Sequence, residues 1–300
     1  MYRPVLREGS RVGLAAPSGP VAPERADAAM LSVEAMGFMP VLGRHALARD
    51  GYLAGTDALR AADINEMFAD PAIDGIIALR GGYGAQRIIP LLDLNMIAGR
   101  PKFFAGYSDI TALIALWGKL GFCAAHTPMP ATQFYRLYKE PERSALTPAE
   151  KTALSVSAES FRKAAAGVPQ GEFLLKSLSD GHAEGPLTGG NLSLIASSIR
   201  TPCEMDTRGR ILFIEEIGEE PYKLDRLLWQ LRQSGKLSEC AGVIFGAFTD
   251  CGTAEEVIAD ACAGLGIPVV SGMPAGHTLP NISLMMGAAA SIDNGSVFLS

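Results

Sequence analysis

A chain of 300 residues, 48% hydrophobic and 19% charged with a formal net charge of -6, has enough apolar material for one large domain or two ordinary ones, and two are expected. Both charge signs are spread evenly and no Lys/Arg block occurs, which argues against nucleic acid or an anionic membrane as the main partner and favours a small or peptidic ligand. The N-terminus lacks the apolar core of a signal peptide and no apolar run reaches the length of a membrane span, so a cytoplasmic protein is expected. The five cysteines, Cys123, Cys203, Cys240, Cys251 and Cys262, are scattered with no C-x-x-C pair and read as reduced, ordinary residues.

In chain order, the first part alternates strand and helix. Arg11 to Ala16 is a short apolar run ending in Pro17-Ser18-Gly19-Pro20. Glu24 to Met36 reads as a helix with Ala28, Leu31, Val33 and Ala35 on its apolar side, and Gly37 stops it. Met39 to Leu42 is the next strand. Thr56 to Phe68 is the next helix, its apolar side carrying Leu59, Ala62, Ile64, Met67 and Phe68. Gly75 to Leu79 is a continuous apolar run, as in a strand buried on both faces of a parallel sheet. Phe103 to Gly106 is a fourth strand, followed by Tyr107-Ser108-Asp109 and a helix from Ile110 to Leu120, and Phe122 to Ala125 is a fifth. Repeated β-α units predict a parallel sheet with helices on both faces, whose ligands bind beyond the carboxyl ends of the strands. Ser18, Gly81, Ser108 and His126 fall at those ends.

The pattern fades between about residues 136 and 170, with a possible helix at Pro148 to Val156, so residues 1–140 read as an N-terminal domain and 141–170 as a linker. Residues 171–300 then form a smaller mixed α/β domain. Its expected strands are Glu172 to Leu178, Ala183 to Thr188, Ile211 to Glu215, Gly242 to Phe248, Val269 to Val270 and Ile282 to Met286, with helices at Asn191 to Ile199, Lys223 to Gln233 and Ala254 to Ala263.

Several stretches could carry chemistry, each with a plain structural alternative. A strand turning sharply into a helix can hold the Ser108 hydroxyl at the sheet edge beside helix N–H groups, a nucleophile's position. Alternatively Ser108 or Asp109 merely caps the helix. The glycines of Arg80-Gly81-Gly82-Tyr83-Gly84 can aim backbone N–H groups at an anion or simply make a tight turn, and they lack both the P-loop Lys and the G-x-G-x-x-G spacing of a dinucleotide site. Thr188-Gly189-Gly190-Asn191 can be explained as a turn with an N-cap. Alternation along a strand puts Glu215 and Glu216 on opposite faces without saying which one meets a cleft, and both could simply begin a solvated loop. His277 lies in a Gly/Pro-rich loop, well placed to reach a cleft, and His126 is its rival as a base. No spacing suggests a metal site, and no cofactor is called for.

Together, Ser108, a carboxylate from 215/216 and His277 supply a nucleophile, an orienter and a general base. The serine loop lacks the second glycine of G-x-S-x-G, which disfavours an ordinary α/β-hydrolase.

In order, Arg80-Gly81-Gly82-Tyr83-Gly84, Gly106-Tyr107-Ser108-Asp109, Gly189-Gly190-Asn191-Leu192, Ile214-Glu215-Glu216 and Gly276-His277-X-X-Pro280-Asn281 resemble the successive motifs of the LD-carboxypeptidase family, over about Val12 to Gly287. That resemblance implies a flavodoxin-like N-terminal domain bearing Ser108 as nucleophile, a C-terminal domain bearing Glu215 and His277 as its partners, and a site at their interface. It further implies an oxyanion hole from the N–H groups of Gly82 and Asp109, with Gly81 and Asn191 as further candidates for substrate contact. The implied substrate is a murein tetrapeptide, cut before its terminal D-Ala in cytoplasmic recycling by a homodimer. Met285-Met286 departs from the family's usual proline and aliphatic residue, which bears on local pocket shape. Two other readings stand: a related peptidase or amidase acting on a microcin-C-like aminoacyl-nucleotide or another peptide, and a non-catalytic ligand-binding module.

Overall fold

The computed structural model describes every residue from Met1 to Ser300. Its strands, in chain order, are β1 (Arg11–Ala15), β2 (Met39–Leu42), β3 (Gly75–Ala78), β4 (Phe103–Gly106), β5 (Ala124–His126), β6 (Gly171–Leu174), β7 (Lys176–Ser179), β8 (His182–Asn191), β9 (Ile211–Ile217), β10 (Gly242–Thr249), β11 (Val269–Ser271), β12 (Leu284–Met286), β13 (Ala289–Asp293) and β14 (Ser296–Leu299). The first five associate in the order β2-β1-β3-β4-β5, all parallel, which is the flavodoxin-like arrangement expected. The second sheet runs β6-β14-β13-β8-β9-β10-β11-β7, with parallel strands β8 to β11 at its centre and antiparallel strands around them.

Several expected boundaries shift for identifiable reasons. The fifth strand is displaced to Ala124–His126 because the N–H of Phe122 closes the preceding turn onto Trp117 and Cys123 pairs with Tyr2. The expected strand Glu172–Leu178 is two strands, β6 beside β14 and β7 beside β11 at opposite ends of the sheet. Strand β12, expected in the second sheet, crosses to the first and pairs antiparallel with β5.

Residues 141–170, expected as a linker, are mostly one helix from Pro148 to Ala166. Thr147 and Glu150 form a reciprocal capping box, Pro148 occupies the first turn and Gly167 ends the helix in the left-handed region at φ 74°. Ala158, Phe161, Ala164 and Ala165 pack into the core beneath the first sheet. Thr147→Ala removes the cap and is expected to destabilise the chain by about 1 kcal/mol, read as a lower urea midpoint with an unchanged slope.

The two sheets share a core. One cluster of buried apolar side chains runs from Phe68, Phe104 and Trp117 through Tyr107 and Ile110 to Phe213, Met273 and Ile292. That continuity holds the carboxyl edge of the first sheet against β9. No helix is long and apolar enough to cross a membrane.

Candidate active site

Ser108 follows β4 directly and adopts φ 63°, one of four non-glycine residues in the left-handed region. A side chain there costs roughly 1–2 kcal/mol and persists only where the surroundings enforce it. The short 3₁₀ turn Ser108–Ile110 leads into the helix Thr111–Lys119, and no side chain caps that helix, so the capping alternative for Ser108 and Asp109 is overturned. Sterics explain why one flanking glycine suffices. A Cβ on Gly106 would lie 2.8 Å from Ile110, which occupies the space that the second small residue of a hydrolase elbow leaves open. Gly81 is required from the other side, since a Cβ there would come within 3.0 Å of Ser108 Cβ and 3.1 Å of its Oγ.

Asp109 is buried and its carboxylate reaches sideways. Oδ2 accepts the Ser18 hydroxyl at 2.6 Å and the Ala85 N–H at 2.8 Å. Burial outweighs these bonds and raises its pKa above the ordinary carboxylate value. The side chain therefore ties together the loops after β1, β3 and β4. Asp109→Ala orphans the Ser18 hydroxyl and the Ala85 N–H, and a loss of about 2–3 kcal/mol is expected in denaturant unfolding. The same loops are clamped by Arg60, which sequence reasoning did not single out. It is buried and donates to the carbonyls of Pro17 and Gly84 and to Asp57. Arg87 is engaged with the same Asp57 at 2.9 and 3.0 Å.

On β9 the two glutamates separate as alternation requires, and both are buried rather than solvated. Glu216 accepts the Asn191 side-chain amide at 2.7 Å, the Ser193 hydroxyl at 2.6 Å and two backbone N–H groups, so it secures the start of the following helix. Asn191 caps that helix through Oδ1, is itself buried, and donates its amide to Glu216.

Glu215 faces the first sheet. Its Oε2 lies 2.7 Å from His277 Nδ1 and accepts the His277 backbone N–H at 3.1 Å. The His277 loop is shaped for this contact. A Cβ on Gly276, at φ 104°, would sit 2.5 Å from Glu215 Oε2. Thr249 donates its hydroxyl to the His277 carbonyl at 2.6 Å, and Asn281 accepts the Gly276 N–H at 3.0 Å. The helix Pro148–Ala166 also holds this loop: the N–H groups of Asn281 and Ser283 donate to the Ser157 and Ser160 hydroxyls at 2.9 and 2.8 Å. These positioning contacts had no signal in the sequence beyond the bare presence of small polar residues.

Electrostatics favours an ionised Glu215. Burial pushes its pKa up, but His126 and His277 more than offset that and hold it at about 2. An ionised carboxylate only accepts, so His277 Nδ1 must carry the proton and Nε2 is left free to take one. The His277 side chain is 14% exposed, and its ring stands 4.7 Å from that of Tyr107, the residue preceding Ser108. His126, the rival base, is fully buried on the opposite side of Glu215 and is not placed as a base. Thus Glu215 from β9 and the loop histidine His277 meet beside Tyr107, the residue before Ser108 at the edge of the first sheet. A cavity of about 740 Å³ lies elsewhere, among Met1, Arg3, Cys123, Gly287 and Phe298.

Residues 12–127 match the LD-carboxypeptidase N-terminal domain and residues 184–292 match the LD-carboxypeptidase C-terminal domain. The chain belongs to the LD-carboxypeptidase family. It is 38% identical over 302 residues to a probable murein peptide carboxypeptidase of Bacillus subtilis (strain 168), covering 97% of this chain and 92% of that one. A solved muramoyltetrapeptide carboxypeptidase from Oxalobacter formigenes superposes with a TM-score of 0.84 at 27% identity, over 97% of this chain and 98% of that one. The microcin C7 self-immunity protein MccF of Escherichia coli is 27% identical over 96% of this chain and 92% of its own. A solved MccF in complex with glutamyl sulfamoyl guanosine has a TM-score of 0.86 at 25% identity, over 100% of this chain and 98% of that one. As a member of this family the chain is a peptidase, and its relatives' names support a role in murein peptide processing.

Proposed function

We propose that the protein is a serine carboxypeptidase that cleaves the LD-peptide bond before the terminal D-Ala of murein tetrapeptides. The observation that carries the reading is the His277 imidazole, with Nδ1 2.7 Å from the buried Glu215 carboxylate and its ring 4.7 Å from that of Tyr107, the residue before Ser108. Ser108 Oγ attacks the scissile carbonyl while its proton passes to His277 Nε2. Glu215 holds the imidazole in the required tautomer and offsets the charge of the imidazolium. The N–H groups of Gly82 and Asp109 receive the oxyanion, and the Gly82 N–H has no acceptor within the chain. His277 then returns the proton to the departing amine, D-alanine leaves, and water attacks the Ser108 ester by the same path in reverse. No metal or cofactor takes part. The enzyme works as a homodimer in the cytoplasm on peptides recovered from the cell wall.

The relationship to MccF supports a second reading, hydrolysis of a microcin-C-like aminoacyl-nucleotide by the same residues. Matched tetrapeptides ending in D-Ala or L-Ala, with an aminoacyl sulfamoyl nucleoside alongside, separate the readings by mass spectrometry of the products. D-alanine release from the LD peptide alone is the expected result. Preferred turnover of the nucleotide conjugate, or equal turnover of the LL peptide, would overturn the murein reading.

A further inference from the structure

His126 ends β5 and is fully buried, its ring set edge-on to Tyr107 and Phe213 with centroids 5.8 and 5.2 Å away. Neither of its ring nitrogens has a hydrogen-bond partner. Its Nε2 lies 3.8 Å from Oε1 of Glu215, an oxygen that is likewise buried and unpartnered. The other oxygen, Oε2, accepts from His277 twice. A buried carboxylate is therefore gripped on one side only, and the donor aimed at its other side stands about 1 Å beyond hydrogen-bond length. Unpaired buried polar groups are costly, and a small closure satisfies both at once.

We infer that His126 is a positioning residue: it donates Nε2–H to Glu215 Oε1, fixes the carboxylate with Oε2 toward His277, and sets how strongly Glu215 draws on that imidazole. The inference rests on the reading of Ser108, Glu215 and His277 as a catalytic triad. The titratable groups facing His126 are Glu215 from β9, His277 behind that carboxylate, and the Tyr107 phenol beyond β4; Phe213 faces it with carbon, and Leu284 pairs with it from β12. A donor on Oε1 divides the carboxylate's charge between two partners and weakens its hold on the His277 proton. Without that donor Oε2 stabilises the imidazolium more, so the acid limb of kcat/KM moves to higher pH.

Two substitutions distinguish this role from packing. His126→Phe keeps an aromatic ring between Tyr107 and Phe213 but has no donor; His126→Gln keeps an N–H donor and loses the ring. For D-alanine release, His126→Phe is expected to lower kcat about tenfold with KM nearly unchanged and to move the acid limb up by about half a pH unit, while His126→Gln stays within about threefold of the parent with the limb in place. A Phe variant that matches the parent, or two variants equally impaired with unmoved acid limbs, would overturn the inference. Imidazole ¹⁵N spectra of the unsubstituted protein test it independently of variant folding. The Nε2–H tautomer of His126 is expected near neutral pH, and an unprotonated Nε2 rules the bond out. Ser108→Ala in the same assays keeps the two failures apart: retained turnover removes the triad reading, whereas the spectra still report on the bond to Glu215.

Discussion

Ser108→Ala is expected to lower kcat for D-alanine release by at least roughly a thousandfold while leaving the fold intact. The hydroxyl is the only group proposed to bond covalently to the substrate, so its loss removes the acyl-enzyme route and leaves only the contributions of the oxyanion hole and of binding. Alanine at φ 63° meets the same backbone strain as serine, and the side chain caps nothing, so the unfolding midpoint should stay close to that of the parent. The check is single-turnover release of D-alanine, with intact-protein mass spectrometry for an acyl adduct. The parent should show the Ser108 adduct on rapid quenching and the variant should not. Undiminished turnover by the variant would remove the proposed mechanism.

Glu215→Gln is expected to cost about three orders of magnitude in kcat, with a smaller change in KM. The amide can still accept the Nδ1–H of His277, but it carries no charge to offset the imidazolium that forms when Ser108 loses its proton. The same substitution should change how stability depends on acidity. In the folded protein the Glu215 carboxyl is held at about 2, below its ordinary value of 4.5. A lowered folded pKa contributes stability that is fully present above about pH 4.5 and is lost as pH falls toward 2. The stability gap between parent and Glu215→Gln should therefore be widest above pH 5 and narrow on acidification, as measured by denaturant unfolding at several pH values.

Much of the first sheet was legible because its signals are local. The run Gly75 to Leu79 is apolar throughout, and such a stretch at strand length can be satisfied only between two layers of helices. Faces of helices were less legible. Leu31 and Leu59 were expected inside, yet Leu31 is half exposed, while Arg60 and Asp63 are buried because their charges meet partners on distant loops. The helix Pro148–Ala166 was seen only to Val156, since its buried side includes Ser157 and Ser160, whose hydroxyls accept from the loop that holds His277. Strand β12 has only three residues, too few for any pattern to say which sheet it joins.

The candidate site divides along the same line. Legible in the chain alone were the candidate residue types and their family: a serine at a strand-to-helix turn, an acidic pair ending an apolar strand, a histidine in a Gly/Pro loop, and an ordered set of motifs. Residue type and chain order carry that information because only a few side chains can attack, orient or accept a proton, although their surroundings decide how well they do so. Strand alternation separates Glu215 from Glu216 without choosing between them; the family resemblance points to Glu215, and packing of β9 against the first sheet is what turns that residue toward the imidazole. The tertiary structure also shows that Asp109 ties loops instead of capping a helix, that Asn191 donates to Glu216, and that His126 stands behind Glu215. Each of those outcomes depends on atoms brought within a few ångströms from far apart in the chain, a relation that no local pattern encodes.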